Sequence, residues 1–240
     1  MNKIFLPGTS EQIGLLLERL DVSEKSIVVF GSNSEVIASE LAKRSGKKVD
    51  LIVEDYDSLI NSELRIEKSD NVSVKMMAFD STDYMDSTFD LIYAQASISG
   101  KMRNKIIKEI KRILKPEGYL CLGEVVQLTE NVPTFVKNVW EDSALLPLEK
   151  EKIKAYYEER KFLVVYEEDL NRTLASFYSM SAGMLKDRLT TLTEKEKSFY
   201  KKLLNKISHE SNVYLRQGGN RHMGFTTLLL KKAQDEKVQE

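Results

Sequence analysis

Residues 26–46 read SIVVFGSNSEVIASELAKRSG. A β-branched and aromatic run gives way to one glycine and a polar turn. Apolar residues at helical spacing then continue to a second glycine. The pattern predicts a buried strand over 26–30, a tight turn, and a helix stopped at Gly46. A turn of this kind presents backbone N–H groups and the positive end of a helix dipole to a polar ligand. Here it holds Gly31, followed by Ser32, Asn33, Ser34 and Glu35. Asn33 tolerates the left-handed region that glycine would otherwise supply, and Ser34 is a good N-cap. Glu35 suits the dipole but repels a phosphate, so the loop favours a zwitterionic or cationic ligand over a dinucleotide. An ordinary turn without a ligand stays open on this stretch alone.

The same alternation continues outward. KKVDLIVE (47–54) reads as a second strand, YDSLINSELRI as a helix, NVSVKMMAF (71–79) as a third strand and TFDLIYAQ (88–95) as a fourth. MRNKIIKEIKRIL (102–114) is an amphipathic helix. KPEG ends it, because the residue before Pro116 disfavours the helical region and Gly118 frees the turn. GYLCLGEVV (118–126) is the fifth strand. Strands alternating with helices indicate a parallel sheet covered on both faces. Its strands then end on one edge, where ligands bind. That edge collects Gly31, Glu54, Asp55, Asp80, Gln95 and Glu124. A carboxylate ending the second strand, Glu54 or Asp55, is placed to accept ribose hydroxyls. Asp80, with Ser81 and Thr82, is placed to bond an adenine amino group. Solvated acidic turns are the competing reading.

The second half reads differently. Residues 131–159 are mainly helical, KFLVVYEEDL (161–170) is a strand, 171–187 and 193–210 are helical, and GFTTLLLKK (224–232) is a last strand. The two strands complete the sheet edge, and the helices between them form a lid over the ligand edge. VYLRQGGNRHMGF (213–225) places Arg216, Arg221 and His222 around paired glycines, where the arginines could clamp a carboxylate or phosphate. A plain polar turn explains the same residues. Tyr156 and the aromatic residues near 177–185 offer surface for an apolar pocket, or simply core.

The chain has 240 residues and a formal net charge of −1, which gives no general attraction for nucleic acid or an anionic membrane and leaves room only for a local basic patch. The single cysteine, Cys121, lies in an apolar run and forms no intrachain disulfide. No apolar run approaches the roughly 20 residues that span a bilayer, and the first residues do not read as a secretion signal. These features predict a cytoplasmic protein with neither membrane nor nucleic-acid partners. No clustered His or Cys spacing points to a metal. The expected organisation is a single domain over 1–230, with halves 1–126 and 127–223, a final strand at 224–232, and a polar tail at 233–240.

The run AFDSTDYMDSTFDLIYAQASISGKMRNKIIKEIKRILKPEGYLCLGEVV (78–126) resembles the class I S-adenosylmethionine-dependent methyltransferases. The matching pieces are Asp80, then Phe89-Asp90-Leu91-Ile92, then Arg112-Ile113-Leu114-Lys115-Pro116-Glu117-Gly118, with order and spacing kept from Ser26 to Val126. The resemblance implies a doubly wound α/β fold with a mostly parallel seven-stranded sheet and an inserted helical lid. It implies S-adenosylmethionine as cofactor, held at Gly31, Ser32, Asn33, Glu54, Asp55, Asp80, Ser81 and Ala94. It also implies a small organic methyl acceptor, with Arg216, Arg221 and Tyr156 as substrate contacts and His222 or Tyr157 as candidate bases. The departures fall in the first loop: Val29 stands at the family's acidic position, and Asn33 and Glu35 stand at two of its glycines. A catalytically inactive scaffold that binds a partner is the alternative, and the sequence leaves oligomerisation open.

Overall fold

A computed structural model describes residues 4–67 and 70–233. Strand β1 (Ile27–Phe30) is buried at every position, as a strand covered on both faces must be. It pairs in parallel with β2 (Val49–Val53) and with β4 (Phe89–Gln95). Beyond them lie β3 (Val72–Met76) and β5 (Leu114–Gln127), also parallel. Near the carboxyl terminus, β8 (Met223–Lys232) runs antiparallel between β5 and β7 (Phe162–Asp169). The order is β3-β2-β1-β4-β5-β8-β7, the seven-stranded, mostly parallel sheet expected. A two-residue strand that the sequence did not suggest, β6 (Leu148–Glu149), pairs with the end of β5 off this path.

The chain turns from one side of the sheet to the other between β3 and β4. β1 and β4 are therefore neighbours whose outgoing loops diverge, and that is where open α/β sheets bind ligands. Helices α2 (Glu35–Ser45) and α3 (Tyr56–Arg65) connect the first three strands, and α4 (Arg103–Ile113) connects β4 to β5. Ile106, Ile107, Ile110 and Ile113 bury one stripe of α4, while Lys105 and Lys108 lie exposed. Ahead of the sheet comes α1 (Glu11–Arg19), whose Leu16 packs with Val29, Leu41 and Cys121. Cys121 is buried there, and burial pushes its thiol up to about 12, so it is structural.

The family-like residues between 86 and 118 turn out to hold the fold. Asp90 accepts from Ser26 N (2.9 Å), Ser26 Oγ (2.6 Å) and Lys115 Nζ (2.8 Å). Burial alone would raise its carboxyl, but these bonds outweigh it and hold the group at about 2. Arg112 donates to Glu109, Asp86 and the Tyr84 carbonyl, tying the β3–β4 loop to α4. The helix stops at Ile113 as expected, but Glu117, not Gly118, takes the left-handed turn (φ 63). Gly118 instead supplies room, since a Cβ there would sit 2.9 Å from the Lys115 carbonyl.

After β5 come α5 (Thr134–Asp142) and α6 (Lys150–Glu158); α7 (Asn171–Thr191), α8 (Glu194–Phe199) and α9 (Lys201–Arg216) join β7 to β8. β7 ends opposite Thr226, and β8 begins opposite Gln127, the last residue of β5. The inserted helices thus rise from the same sheet edge as the loops after β1 and β4. They share a third core with that edge, in which Tyr178, Val213 and Tyr214 meet Val125 and Phe225. Of the predicted polar tail, only Ala233 falls within the described residues.

Candidate cofactor and substrate site

At the end of β1, Gly31 has φ 120, and a Cβ placed on it would lie 2.7 Å from the Ser97 Cβ. The β1 and β4 exits therefore touch, and only glycine allows it. Asn33 follows in the left-handed region (φ 62), as its short polar side chain permits, and Ala96 at the β4 exit takes the same region (φ 55). Non-glycine residues held there store strain and concentrate at functional sites. Around Gly31 stand the hydroxyls of Ser97 and Ser34, 3.3 and 3.9 Å from that ideal Cβ. Both Oγ atoms are buried and without a hydrogen-bond partner, as is Ser99 Oγ. Ser34 makes no side-chain bond to the N-terminus of α2 although it occupies the cap position. Buried hydroxyls normally find partners; these three, on the outgoing loops of β1 and β4, are among seven buried side-chain polar atoms left unpaired among the described residues, with Gln12, Trp140, Ser211 and Thr226 elsewhere. Ser97 and Ser99 escaped the sequence reading because nothing in YAQASISG distinguishes a core-facing serine from a loop serine.

The other loop side chains are committed elsewhere. Glu35 is buried and turned onto α3, accepting from Ser62 Oγ at 2.7 Å, with Arg65 at 3.7 Å. Arg65 also donates to Asn33 Oδ1 (3.0 Å). Ser32 is exposed.

The two carboxylates after β2 separate cleanly in their contacts. Asp55 is the N-cap of α3 and accepts from both the backbone N–H (2.8 Å) and the hydroxyl (2.7 Å) of Ser58. These bonds hold its carboxyl below the usual range. Glu54 is exposed and accepts from the Phe79 N–H at 3.1 Å. Ser81 is exposed, and Asp80 lines a surface basin beside Lys105, Lys108 and Arg112 of α4. Ala94 is buried, and its carbonyl accepts from Gln12 Nε2 (3.2 Å). Next to it, Gln95 donates to the carbonyls of Pro7 (2.6 Å) and Thr9 (3.0 Å). This clasp draws the N-terminal segment across the β4 exit, where Gly8 N donates to Thr173 Oγ1 of α7 (3.0 Å).

The residues named for substrate and proton transfer scatter. Glu124, at the end of β5, is fully buried and ion-paired with Arg103 (2.8 Å). It also accepts from Tyr157 OH, and Arg103 reaches the Leu146 carbonyl (2.7 Å). Burial, and then Glu124, push the Tyr157 phenol well above its ordinary value. Tyr156 donates to Asn104 (2.6 Å), and Arg160 stacks 3.5 Å from its ring centre. His222 shares a 2.6 Å bond with Thr129, just past β5. Arg221 is exposed on the turn, while Arg216 is exposed at the end of α9 and lines a groove with α7. Within the lid, Phe177 and Tyr178 of α7 and Leu204 and Ile207 of α9, with Phe5, border a largely apolar cavity of about 580 Å³. Phe5 packs on Phe177 with ring centres 5.4 Å apart, two residues from the Pro7 that Gln95 holds.

A sheet of this order, with β8 antiparallel and ligand loops after β1 and β4, defines the class I methyltransferase architecture. The family model described as a methyltransferase domain matches residues 28–122, and over that stretch the chain is similar to the methyltransferases. Solved structures share the fold at low identity. The cyclase SpnF is 18% identical, with a TM-score of 0.73, over 94% of this chain and 81% of its own. Phosphoethanolamine N-methyltransferase 2 of Haemonchus contortus, in complex with phosphomonomethylethanolamine and S-adenosylhomocysteine, is 14% identical. Its TM-score is 0.76 over 95% of this chain and 54% of that one. Geranyl diphosphate C-methyltransferase of Streptomyces coelicolor is 13% identical, with a TM-score of 0.65, over 93% and 77%. A search of curated proteins finds no match.

Proposed function

We propose that this protein is an S-adenosylmethionine-dependent methyltransferase acting on a small organic molecule. The observation that carries the reading is the close approach of the β1 and β4 exits at Gly31, with Asn33 and Ala96 both in the left-handed region, at the β1–β4 switch point. A loop of this shape, opening onto the start of α2, would present backbone groups to the amino-acid end of the cofactor, which carries both an ammonium and a carboxylate. Glu54, exposed and lightly engaged, would hold the ribose, and the Asp80–Ser81 turn would meet the adenine. Asp55 is left as a helix cap. When bound, the cofactor supplies an activated methyl group on sulfur.

The chain's own residues then have to position the acceptor and exclude water. The clasp of Gln95 on Pro7 and Thr9, together with α7, closes the space over the β4 exit. The lid cavity provides an apolar wall for the body of the acceptor; its size is that of a drug-like ligand site. His222, beside Thr129 at the end of β5, is the candidate for holding a proton. Tyr157 is not, because its hydroxyl is spent on Glu124 in the core. Arg216 and Arg221 remain candidates for an anionic acceptor only if the lid moves.

A second reading, a scaffold that binds without transferring a methyl, draws on the pins from α3 onto Asn33 and Glu35. Thermal-shift titration with S-adenosylmethionine and S-adenosylhomocysteine separates the two, because a ligand of the native state raises its melting temperature by mass action. We expect stabilisation by both, reduced by Glu54→Ala and by Ser97→Ala. No stabilisation at millimolar ligand would leave the scaffold reading standing.

A further inference from the structure

The outer face of the lid, beyond the cavity assigned to the acceptor, carries exposed apolar and basic side chains. Met184 (53% exposed), Phe199 (81%), Tyr200 (43%) and Leu203 (54%) all lie between the last turns of α7 and the first turn of α9. Met184, Tyr200 and Leu203 border the mouth of the same cavity, so they form one patch. Phe199 stands at the corner between α8 and α9, its ring edge-on to Tyr200 with centres 4.9 Å apart. Soluble surfaces seldom gather large apolar side chains in this way without a partner.

Charge distinguishes the partner. The whole chain has a net charge of −1, yet residues 186–206 hold seven basic side chains against three acidic ones. Of the three acids, Glu196 is folded back into the Thr193 capping box and Glu194 pairs with Lys197. Lys195, Lys201 and Lys202 are exposed around the aromatic corner. Lysines flanking Phe, Tyr and Leu on a short amphipathic segment are what an interfacial membrane contact requires: apolar groups enter the acyl boundary while cations meet anionic headgroups. Among the described residues no helix is long and apolar enough to cross a bilayer, so any such contact is peripheral. The sequence-based expectation of no membrane partner rested on net charge and the lack of a spanning segment, and neither bears on a local patch.

We infer that the α8–α9 corner seats the lid on an anionic lipid surface, with the apolar cavity opening toward the acyl layer. The inference is independent of methyl transfer, since it rests on the surface of the lid and not on the cofactor loops.

Co-sedimentation of the full chain with phosphatidylcholine vesicles, with and without half their lipid as phosphatidylglycerol, tests it. The chain should bind the anionic vesicles and lose that binding in high salt. Reversing two lysines (Lys201→Glu with Lys202→Glu) should weaken partitioning by roughly a hundredfold or more, since each lysine near such a surface contributes about fivefold and reversal also adds repulsion. Phe199→Ser should weaken it independently, while the melting temperature of either variant stays unchanged. Failure to sediment with anionic vesicles would overturn the inference, and so would equal binding by the charge-reversed variant. Size-exclusion elution at twice the chain mass, restored to monomer by Phe199→Ser, would assign the patch to a second copy instead and overturn it as well.

Discussion

Between Ser26 and Val126 the side chains that shape the loops are paired inward. Asp90 is bound to Lys115 and Ser26, Glu109 to Arg112 and Thr82, and Glu35 to Ser62. Between Asn171 and Arg216 the chain instead turns apolar and basic groups outward, with Phe199 four-fifths exposed and Lys201 and Lys202 beside it. One half spends much of its polar chemistry on fixing loop positions at the sheet edge. The other keeps a small core against the sheet edge and leaves its far end free for contact. Fixed loops in the first half and an outward-facing lid are what the proposed function asks for, in which one half holds the cofactor and the other meets the acceptor. Substitutions in the two halves should therefore report differently, in stability for the first and in binding for the second.

The largest expected effect tests where the rigid half ends. Arg103 and Glu124 form a buried ion pair joining the first residue of α4 to the end of β5. Glu124→Ala would leave a guanidinium with 5% side-chain exposure without its counter-charge, which costs about 3–5 kcal/mol. For a chain of this size the melting temperature should fall by on the order of ten degrees. Replacing both partners with apolar residues of similar volume should recover much of that loss. A fall of only a degree or two in the single variant would mean that solvent reaches the pair and that the rigid half stops short of β5.

Next comes Gly31→Ala. Two penalties coincide there, a φ of 120 that L side chains rarely adopt and a contact 2.7 Å from the Ser97 Cβ. Strain of this kind costs about 1–3 kcal/mol. Adding Ser97→Gly removes the contact but not the dihedral strain, so calorimetry should show a partial recovery. Full recovery would mean that the backbone of the β1 exit relaxes easily, contrary to a preorganised loop.

The legibility of the fold in the sequence differs along the chain for physical reasons. The five leading strands were legible as apolar runs bounded by turn residues, although β5 starts at Leu114, four residues before the strand read from sequence, and Gly46 ends α2 in the left-handed conformation expected of it. The alternation of Phe162–Asp169 and the apolar run to Lys232 revealed the last pair of strands. The lid helices were legible as helices, but not the break at Tyr200, since a corner between two helices leaves no glycine or proline. At the site, Gly31 and Asn33 were readable from the conformations their residue types allow. Glu54 and Asp55 were not separable, because only the backbone decides which one reaches the first turn of α3. The Arg103–Glu124–Tyr157 cluster joins residues 21 and 33 apart in sequence, and no local pattern announces such a pairing.

A smaller effect concerns pH. Asp90 is held at about 2 in the folded chain, below the roughly 3.9 of a free aspartate. Between these values the unfolded chain binds the extra proton, so the stabilisation is fully present above about pH 5 and is lost as the pH falls toward 2. Asp90→Asn should therefore cost about 1–2 kcal/mol at pH 7, allowing for partial solvent screening. The gap between variant and parent should close in urea titrations near pH 2. A gap independent of pH would assign the effect to packing at the Ser26 turn and not to the charge.

The finest distinction lies between two adjacent carboxylates. Asp55 spends both oxygens on Ser58 at the start of α3, so Asp55→Ala should cost about 1 kcal/mol, the usual worth of an N-cap. The same variant should leave the cofactor-dependent rise in melting temperature nearly intact. Glu54 is exposed and, among the described residues, accepts from the Phe79 N–H, so Glu54→Ala should change stability within about 0.5 kcal/mol while sharply reducing that rise. The two variants thus cross: one lowers the baseline and keeps the shift, the other keeps the baseline and loses the shift. Parallel behaviour in both measurements would show that the second loop acts as one structural unit and that the ribose contact lies elsewhere. The crossing pattern needs no knowledge of the methyl acceptor, which makes it decisive for the cofactor half before anything is known of what the lid admits.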